Sequence, residues 1–530
     1  MLDKSKKIVI VGAGIAGLKA ASYLYAQGFT NLEILEARDR VGGRLYTVEG
    51  LNGKYDLGAS WHHDLLINTL FKEEQQLGDK KGAPYVIEDD LVGLVDAEGR
   101  RLDCDPDLRL EPIREEFEDY VNEVYNPSLK KDTNLFQATI NYLMDNKENL
   151  THEQIKYMFG VARYYELWHG IDWKSISSFD AAGSHTGRNA LCAGYIGIIN
   201  RIGATIPLDQ MLHLNTEVKE INVKYCPKTN KKYTEIEIQS GVNSSFKISK
   251  KRAIQADYVL ITIPLSLLKL SLDEKGQKET GAIKFNPPFQ PRLQRAIDNI
   301  SYGSLGKIAF EFDKLCWSTE KSRMVYVGKN QDKLTSFIES NKKLTPELVA
   351  EMNTLTSSTA IPECESYPYF VVNLPKSLNG MPSLLFLCSE PVTVYLESLN
   401  GDVEKLFKFF EPALNSVLKS LRCKNKVVFH KNVSQNGKVG STTPVLKNIL
   451  CTSWTKDPYA RGAYTAVKPG DDLEGFVEEI KKGHEDIVRF AGEACVVTGN
   501  GCTWGATTSA VRESDAIIAD VAKTCRSAKL

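Results

Sequence analysis

The first strong pattern in the chain is a short, nearly uninterrupted run of hydrophobic residues close to its start. The run from Lys7 to Val11 is almost entirely β-branched, which is typical of a strand buried on both faces of a sheet. The segment Leu18 to Gln27 then follows a helical spacing, with Gly28 at its expected end. A second strand, Leu32 to Leu35, comes next. This order predicts an α/β domain at the start of the chain.

The rest of the chain changes character in blocks. A chain of 530 residues exceeds the size at which one hydrophobic core stops growing, so we expect two domains. Four further blocks are predicted: helical and charged at 71–182, short strands at 183–270, strands with a solvated helix or loop (329–363) at 271–445, and a strand and final helix at 446–524.

Composition and charge limit the partners. The content of 42% hydrophobic and 25% charged residues is ordinary for a soluble globular protein. The formal net charge of −1 offers no basic surface for a nucleic acid. The eleven cysteines include no CxxC pair, so we expect reduced thiols and no metal site. The charged start argues against a secretory signal, and no apolar stretch reaches about 18 residues, so no membrane span is predicted.

The first strand leads directly into a complete GxGxxG motif. Gly12 permits the tight turn, Gly14 lets the backbone approach a pyrophosphate, and Gly17 lets the helix pack close to the strand. The helix start would present free N–H groups to the phosphates. Glu36, at the end of the second strand, can accept hydrogen bonds from ribose hydroxyls. These features in this order predict a dinucleotide site rather than a glycine-rich turn without a ligand.

Residues 36–44, with the sequence EARDRVGGR, add a glycine pair and an arginine directly after the ribose acid. At this point the sequence resembles the FAD-dependent amine oxidases, and most closely the yeast-type spermine and acetylpolyamine oxidases. The resemblance covers nearly the whole chain. Four more segments carry it: GASWHH at 58–63, EVKEI at 217–221, YVLITIP at 258–264 and FAGE at 490–493.

The resemblance implies an α/β fold in which a Rossmann-like FAD-binding domain (1–70, 183–270 and 446–530) is interleaved with an α+β substrate-binding domain (71–182 and 271–445). Its FAD would be non-covalent, because residues 462–464 lack the cysteine that monoamine oxidases bond to FAD. Arg44 would carry charge to the pyrophosphate, Glu493 would bond the ribityl chain, and Val218 would meet the adenine. The full set of implied cofactor residues is Gly12, Gly14, Ala16, Gly17, Glu36, Ala37, Arg38, Gly43, Arg44, Gly58, Val218, Trp454, Glu493 and Trp504.

Lys307 lies in the apolar strand predicted from Lys307 to Phe312. A buried ammonium without a partner is costly, so such a lysine shifts its pKa or finds a polar contact. By resemblance, Lys307 is the catalytic lysine that reaches flavin N5 through a water. The alternative is a lysine on an edge strand whose amine extends to solvent.

Several residues match the substrate tunnel of the yeast-type enzymes. His63 is the second candidate catalytic residue, with a structural histidine as the alternative. Asp89, in the acidic triplet 88–90, would attract a substrate ammonium unless the triplet is a solvated turn. The candidate substrate-binding residues are Trp61, Asp89, His185, Asn189, Tyr464 and Cys502, with Tyr464 as an aromatic wall before the flavin.

The implied reaction is oxidation of spermine or N-acetylated polyamines by hydride transfer to flavin N5. Imine hydrolysis would give an aminoaldehyde and a shorter polyamine, and dioxygen would be reduced to hydrogen peroxide. A monoamine oxidase, a histone demethylase and a flavoprotein that binds a hydrophobic ligand without oxidising it remain alternatives. The last three residues, Ala528-Lys529-Leu530, resemble a peroxisomal address, so an import receptor is an expected partner and the peroxisome the expected location, otherwise the cytoplasm.

Overall fold

The structure is a computed structural model that describes residues 2–78, 84–125, 131–183, 187–227, 231–241, 250–341, 343–355, 361–378, 380–432, 440 and 442–527. Its strands are β1 (Ile8–Val11), β2 (Leu32–Leu35), β3 (Thr47–Glu49), β4 (Lys54–Asp56), β5 (Trp61–His62), β6 (Tyr85–Ile87), β7 (Gly93–Val95), β8 (Ala190–Cys192), β9 (Leu212–His213), β10 (Thr216–Tyr225), β11 (Lys232–Ser240), β12 (Lys250–Ala256), β13 (Tyr258–Ile261), β14 (Lys284–Asn286), β15 (Ser301–Gly303), β16 (Gly306–Phe312), β17 (Arg323–Tyr326), β18 (Tyr369–Asn373), β19 (Ser383–Cys388), β20 (Val428–Phe429), β21 (Val445–Cys451), β22 (Tyr464–Ala466) and β23 (Val488–Phe490).

Its helices are α1 (Ile15–Ala26), α2 (Thr69–Leu77), α3 (Leu110–Val124), α4 (Leu135–Asn146), α5 (His152–Ala162), α6 (Glu166–His169), α7 (Ser178–Gly183), α8 (Ile196–Gly203), α9 (Leu208–Met211), α10 (Leu265–Leu270), α11 (Pro291–Asp298), α12 (Asp332–Ser340), α13 (Pro346–Leu355), α14 (Leu374–Ser377), α15 (Val392–Ser398), α16 (Val403–Ser420), α17 (Leu473–Lys482) and α18 (Thr503–Ser527). None of these helices, within the ranges described, is long and apolar enough to cross a bilayer.

A five-stranded parallel sheet has the order β23-β13-β1-β2-β9. Strand β1 lies at its centre, and all four of its residues are buried, as the apolar run predicts. Helix α1 begins at Ile15 rather than Leu18, because Gly14 is its N-cap and Gly17 already lies within the helix. The α/β class is confirmed. The proposed division into two domains stays a prediction.

A seven-stranded mixed sheet has the order β20-β21-β16-β19-β18-β17-β7. One hydrophobic core joins this sheet to helices α3, α4, α5 and α12, and another joins it to α16. The expectation that residues 329–363 form only a solvated helix or loop is wrong for α12, which buries Leu334, Phe337 and Ile338. The polar composition of the segment conceals this apolar face, because only every third or fourth residue points inward.

Candidate active site

A large cavity extends between the carboxyl ends of the five-stranded sheet and the seven-stranded sheet. Its volume is about 1320 Å³, above the range of about 300–1,000 Å³ usual for a small-molecule pocket. Gly12, Glu36 and Val218 line one end, which we call the nucleotide end, and His63 and Lys307 line the other, which we call the amine end. The cavity can therefore take an extended dinucleotide and a second molecule beyond it.

The glycine motif forms the floor of the nucleotide end. Gly12 has φ +105°, a conformation that side chains other than hydrogen disfavour. A Cβ on Gly17 would lie 2.0 Å from the carbonyl oxygen of Gly12, so helix and turn approach as closely as predicted. A Cβ on Gly14 would meet nothing within 4 Å, because this residue faces the open cavity. The backbone is thus accessible where a pyrophosphate would bind.

Glu36 lies at the cavity wall with its side chain held by backbone groups. Its carboxylate accepts hydrogen bonds from the N–H groups of Ala13 (2.8 Å) and Arg38 (2.9 Å). Arg38 in turn donates to Asp457 at 2.7 Å. Since each carboxylate oxygen has more than one lone pair, Glu36 retains capacity for ribose hydroxyls at this position.

Arg44 and Glu493 form an ion pair midway along the cavity, with side chains 23% and 7% exposed. Nη1 of Arg44 donates to Oε1 of Glu493 at 2.8 Å, to the carbonyl of Ala463 at 2.8 Å and to the hydroxyl of Tyr302 at 3.0 Å. The second Glu493 oxygen accepts from the Thr465 N–H at 3.3 Å. Both charges are therefore already compensated, and the predicted contacts with pyrophosphate and ribityl chain stay predictions.

Twelve of the fourteen predicted cofactor residues line the cavity, and Gly17 and Trp504 do not. The position of Gly17 agrees with its predicted packing role. The indole ring of Trp504 packs against Gly499, where an added Cβ would lie 2.6 Å from the ring, and its contact with the cofactor stays a prediction. Trp454, by contrast, is fixed at the wall by a 3.0 Å hydrogen bond from its indole N–H to the carbonyl of Leu57.

Lys307 lies on β16, which is paired on both sides, so a lysine extending from an edge strand is excluded. Its Nζ donates to the carbonyls of Asp56 (3.1 Å) and Gly58 (2.5 Å) and to the Ser60 hydroxyl (2.5 Å). The amine also lies 5.0 Å from the centre of the Trp61 ring. Burial lowers the pKa of Lys307 to about 7. The amine can therefore gain or lose a proton near neutral pH.

His63 and Asn189 meet at the amine end. Asn189 Oδ1 accepts the Asp64 N–H at 3.3 Å, which identifies this atom as the oxygen, and it lies 3.2 Å from His63 Nδ1. His63 Nδ1 must therefore be the donor, and in the neutral ring Nε2 carries the acceptor lone pair. His185, predicted beside Asn189, lies outside the described residues.

Aromatic side chains form one wall of the amine end. The Tyr464 hydroxyl donates to the carbonyl of Trp168 at 2.5 Å, which fixes the position of both residues. The ring of Trp168 contacts those of Tyr164 and His63, with centres 5.4 and 6.5 Å away. Cys502 also lines the cavity, and burial raises the pKa of its thiol, which is therefore protonated.

The acidic triplet 88–90 is the clearest difference from the sequence-based expectation. Asp89, the predicted substrate contact, is 57% exposed and pairs with Arg188 at 2.5 Å outside the cavity. Glu88 has a side chain only 4% exposed, and Asp90 lines the cavity. Successive residues of an extended segment point to opposite sides. Asp89 therefore faces solvent when its two neighbours face inward.

Sequence reasoning missed several wall residues. Trp168 and Tyr164 belong to an aromatic run that is equally typical of a helical core, and no periodicity separates the two roles. Ser60 is part of the quoted flavin loop, yet its bond joins it to Lys307 on β16, 247 residues further along the chain. Its place as the first acid of the triplet 88–90 was the only signal available for Glu88.

The residues at the nucleotide end fit FAD: an open Gly14, an acid after the second strand, and a continuous cavity leading to a buried lysine. The family model described as flavin containing amine oxidoreductase matches residues 15–518. The chain therefore belongs to this family, and it is an FAD-dependent amine oxidase.

Among its relatives, a corticosteroid-binding protein of Candida albicans is 29% identical, over 98% of this chain and 97% of the relative. Polyamine oxidase 5 of Oryza sativa subsp. japonica is 24% identical, over 95% of this chain and 86% of the relative. The peroxisomal N(1)-acetyl-spermine/spermidine oxidase of Bos taurus is 24% identical, over 97% and 95%. Polyamine oxidases are thus among the proteins this chain resembles.

Proposed function

We propose that this amine oxidase acts on polyamines, oxidising spermine or N-acetylated polyamines to an aminoaldehyde and a shorter amine with release of hydrogen peroxide. The observation that carries the proposal is Lys307, a buried amine with a pKa of about 7 at the inner end of a long cavity. FAD, when bound, supplies hydride acceptance from the carbon beside the amine nitrogen and passes the electrons to dioxygen. The names of the rice and bovine relatives support the substrate class.

Lys307 is suited to hold a proton or a water at its Nζ. Its amine lies among three oxygen acceptors, so the ammonium form is compensated, while burial favours the neutral form. A group poised between these forms near neutral pH can exchange a proton without a large energetic cost. Lys307 would act here as a positioned cation or acid–base group.

His63 would receive the reacting amine. With Nδ1 donating to Asn189, Nε2 of the neutral ring can accept a hydrogen bond from an amine N–H. This contact orients the nitrogen without placing a positive charge beside it. Amine oxidation needs the nitrogen lone pair, so a neutral imidazole suits the reacting nitrogen better than a carboxylate does.

The other substrate nitrogens can remain charged and contact acids further out. Several carboxylates line the cavity, namely Asp64, Asp90, Asp103, Asp105, Glu111, Glu118 and Asp180, and five of them (Asp90, Asp103, Asp105, Glu111 and Glu118) also pair with arginines, with which a substrate ammonium would share them. One carboxylate about 4–5 Å from an ammonium contributes roughly 3–4 kcal/mol at an effective dielectric constant near 20. The methylene segments between the nitrogens would pack on Tyr164 and Trp168.

The experiment that tests the proposal uses purified, FAD-loaded protein and a panel of spermine, spermidine, their N-acetylated forms and a monoamine. Peroxide release and the mass of the aldehyde product identify the substrate and the bond that breaks. We expect turnover with at least one polyamine and none with the monoamine. Turnover of the monoamine alone would contradict the proposal.

A second candidate function is binding of an apolar ligand in the same cavity. The observation that favours it is the apolar outer wall, which includes Leu91, Val92, Val161 and Leu305 together with the aromatic residues. The name of the Candida albicans relative points in the same direction. Anaerobic addition of spermine separates the two: bleaching of the flavin supports oxidation, and an unchanged spectrum together with a corticosteroid-induced spectral shift supports binding.

We further propose a peroxisomal location, otherwise cytoplasmic. The support is the Ala528-Lys529-Leu530 terminus, which lies outside the described residues, and the word peroxisomal in the name of the bovine relative. A fluorescent fusion at the N-terminus should co-localise with a peroxisomal marker, and removal of the three residues should abolish this.

A further inference from the structure

Glu88 occupies an unusual position beside the amine end. Its side chain is 4% exposed, and Oε2 accepts a 3.0 Å hydrogen bond from the indole N–H of Trp61. Arg323 Nη1 lies 3.3 Å from the same oxygen. Within the described residues, Oε1 is buried without a hydrogen-bond partner. A buried carboxylate that is only partly satisfied is costly, so its presence calls for a reason.

The backbone of Glu88 makes a second connection. Its N–H donates to the carbonyl of Asn189 at 3.1 Å, and Asn189 Oδ1 in turn bonds His63. The antiparallel sheet β5-β8-β6 brings these residues together, because Trp61 begins β5, Asn189 directly precedes β8 and Glu88 directly follows β6. One residue thus contacts two members of the proposed substrate wall.

The orientation of Trp61 matters because one of its faces is turned to Lys307. The Lys307 amine lies 5.0 Å from the ring centre, and the ring forms a T-shaped contact with Phe370, with centres 6.5 Å apart. Neither of these ring contacts prevents the indole from rotating within its own plane. The directional hydrogen bond from the indole N–H to Oε2 of Glu88 does.

We propose that Glu88 is a positioning residue, whose side chain sets the orientation of Trp61 in the wall that faces Lys307, while its backbone N–H holds the carbonyl of Asn189. The inference rests on the proposed function in taking Trp61, His63 and Asn189 as the substrate wall. Glu88 itself does not line the cavity, so it would act only through these neighbours. Burial, which raises the pKa of Glu88 to about 7, is compatible with an acid retained for geometry and not for charge.

The first test needs no substrate. The near-ultraviolet circular dichroism of the wild type minus that of Trp61→Phe isolates the signal of this one indole. The same difference is measured for each Glu88 variant, with and without Trp61→Phe. We expect the indole signal to fall to less than half its wild-type size in Glu88→Leu. In Glu88→Gln it should be retained, because an amide oxygen still accepts the indole N–H. Asp89→Asn, on the exposed carboxylate of the same segment, is the matched control and should change nothing. A full-strength indole signal in Glu88→Leu would overturn the proposal.

The second test uses turnover of the best amine in the panel. Glu88→Leu should lower kcat/KM at least tenfold and Glu88→Gln less than threefold, at equal FAD content and thermal midpoint. In proteins that also carry Trp61→Phe, the kcat/KM values of Glu88→Leu and Glu88→Gln should differ by less than twofold, because no indole N–H remains to donate a hydrogen bond. Equal effects in both backgrounds would refute an action through Trp61. If His63→Ala and Asn189→Ala leave kcat/KM unchanged, the assignment of these residues to the substrate wall is contradicted, independently of the result for Glu88.

Discussion

The nucleotide end of the cavity is walled mainly by backbone, whereas the amine end is walled by side chains. At the nucleotide end, Gly12, Gly14 and Gly17 shape the surface by lacking side chains, and Glu36 is held by neighbouring N–H groups. At the amine end, Lys307, His63 and Tyr464 come from distant parts of the chain. The nucleotide end is therefore built from a short stretch of sequence, whereas the amine end depends on how the two sheets pack together.

Charge is also handled differently at the two ends. Arg44 and Glu493 compensate each other through a direct 2.8 Å contact. Lys307 has no such carboxylate partner among the described residues; it has three uncharged oxygens and a lowered pKa. A paired charge keeps its ionisation over a wide pH range, whereas an unpaired buried amine becomes sensitive to pH. The contrast therefore indicates that proton exchange takes place at Lys307 and not at the paired charges of Arg44 and Glu493.

The largest effect is expected for Lys307→Met. Removing the amine should slow turnover about 100-fold or more, the scale of a lost acid–base group, while FAD stays bound because the nucleotide end is untouched. Peroxide release and the 450 nm absorbance measure the two properties. Lys447→Met, an exposed lysine on the neighbouring strand β21, is the control. Turnover equal to that of the wild type would remove Lys307 from the site.

The pH dependence of stability sharpens the same contrast. The pKa of Lys307 is about 7 when folded and near its ordinary value of 10.5 when unfolded, so between these values the unfolded chain binds more protons. Its contribution to the free energy of unfolding therefore rises with pH, by about 2 kcal/mol from pH 7 to pH 9. Denaturant unfolding of wild type and Lys307→Met at both values measures this. A constant difference between the two proteins would argue that Lys307 is charged throughout.

Gly14→Ala tests the backbone wall. The residue has φ −72° and space for a methyl group, so the fold should tolerate alanine. The methyl group would occupy the surface offered to the pyrophosphate, and we expect FAD affinity to fall about tenfold, or roughly 1.4 kcal/mol. Titration of the apoprotein with FAD gives the affinity. Gly197→Ala in helix α8, whose added Cβ makes only ordinary contact, is the matched control. Unchanged affinity in Gly14→Ala would contradict a pyrophosphate at this site.

The smallest effect is expected for Asp89→Asn. This carboxylate is exposed and bonded to Arg188, so its loss should change the KM for a polyamine by less than twofold. Initial rates at low ionic strength, where surface charges act furthest, give the most sensitive comparison. A severalfold rise in KM would return Asp89 to the substrate site and would weaken the argument for Glu88.

The sequence by itself determined the nucleotide end. Strand β1, the glycine turn, helix α1 and Glu36 follow one another within a short stretch, so their geometry is set by local steric rules and by hydrogen bonds between near neighbours. The α/β class and a dinucleotide site could be predicted for this reason, and the choice of FAD came from the family resemblance that begins at residues 36–44. Even the packing role of Gly17 was readable, because close approach of a helix to its own preceding turn is a local event.

Only the tertiary structure decided the amine end. The period-two rule could state that Glu88 and Asp90 share a side, but Arg323, 233 residues further along the chain than Asp90, determines that this side is the buried one. In the same way, the apolar neighbours of Lys307 predicted either a shifted pKa or a polar contact, and only the folded chain shows both, because the three oxygens around its amine come from Asp56, Gly58 and Ser60, far away in the sequence. Burial is a property of long-range contacts, and so is the chemistry that depends on it.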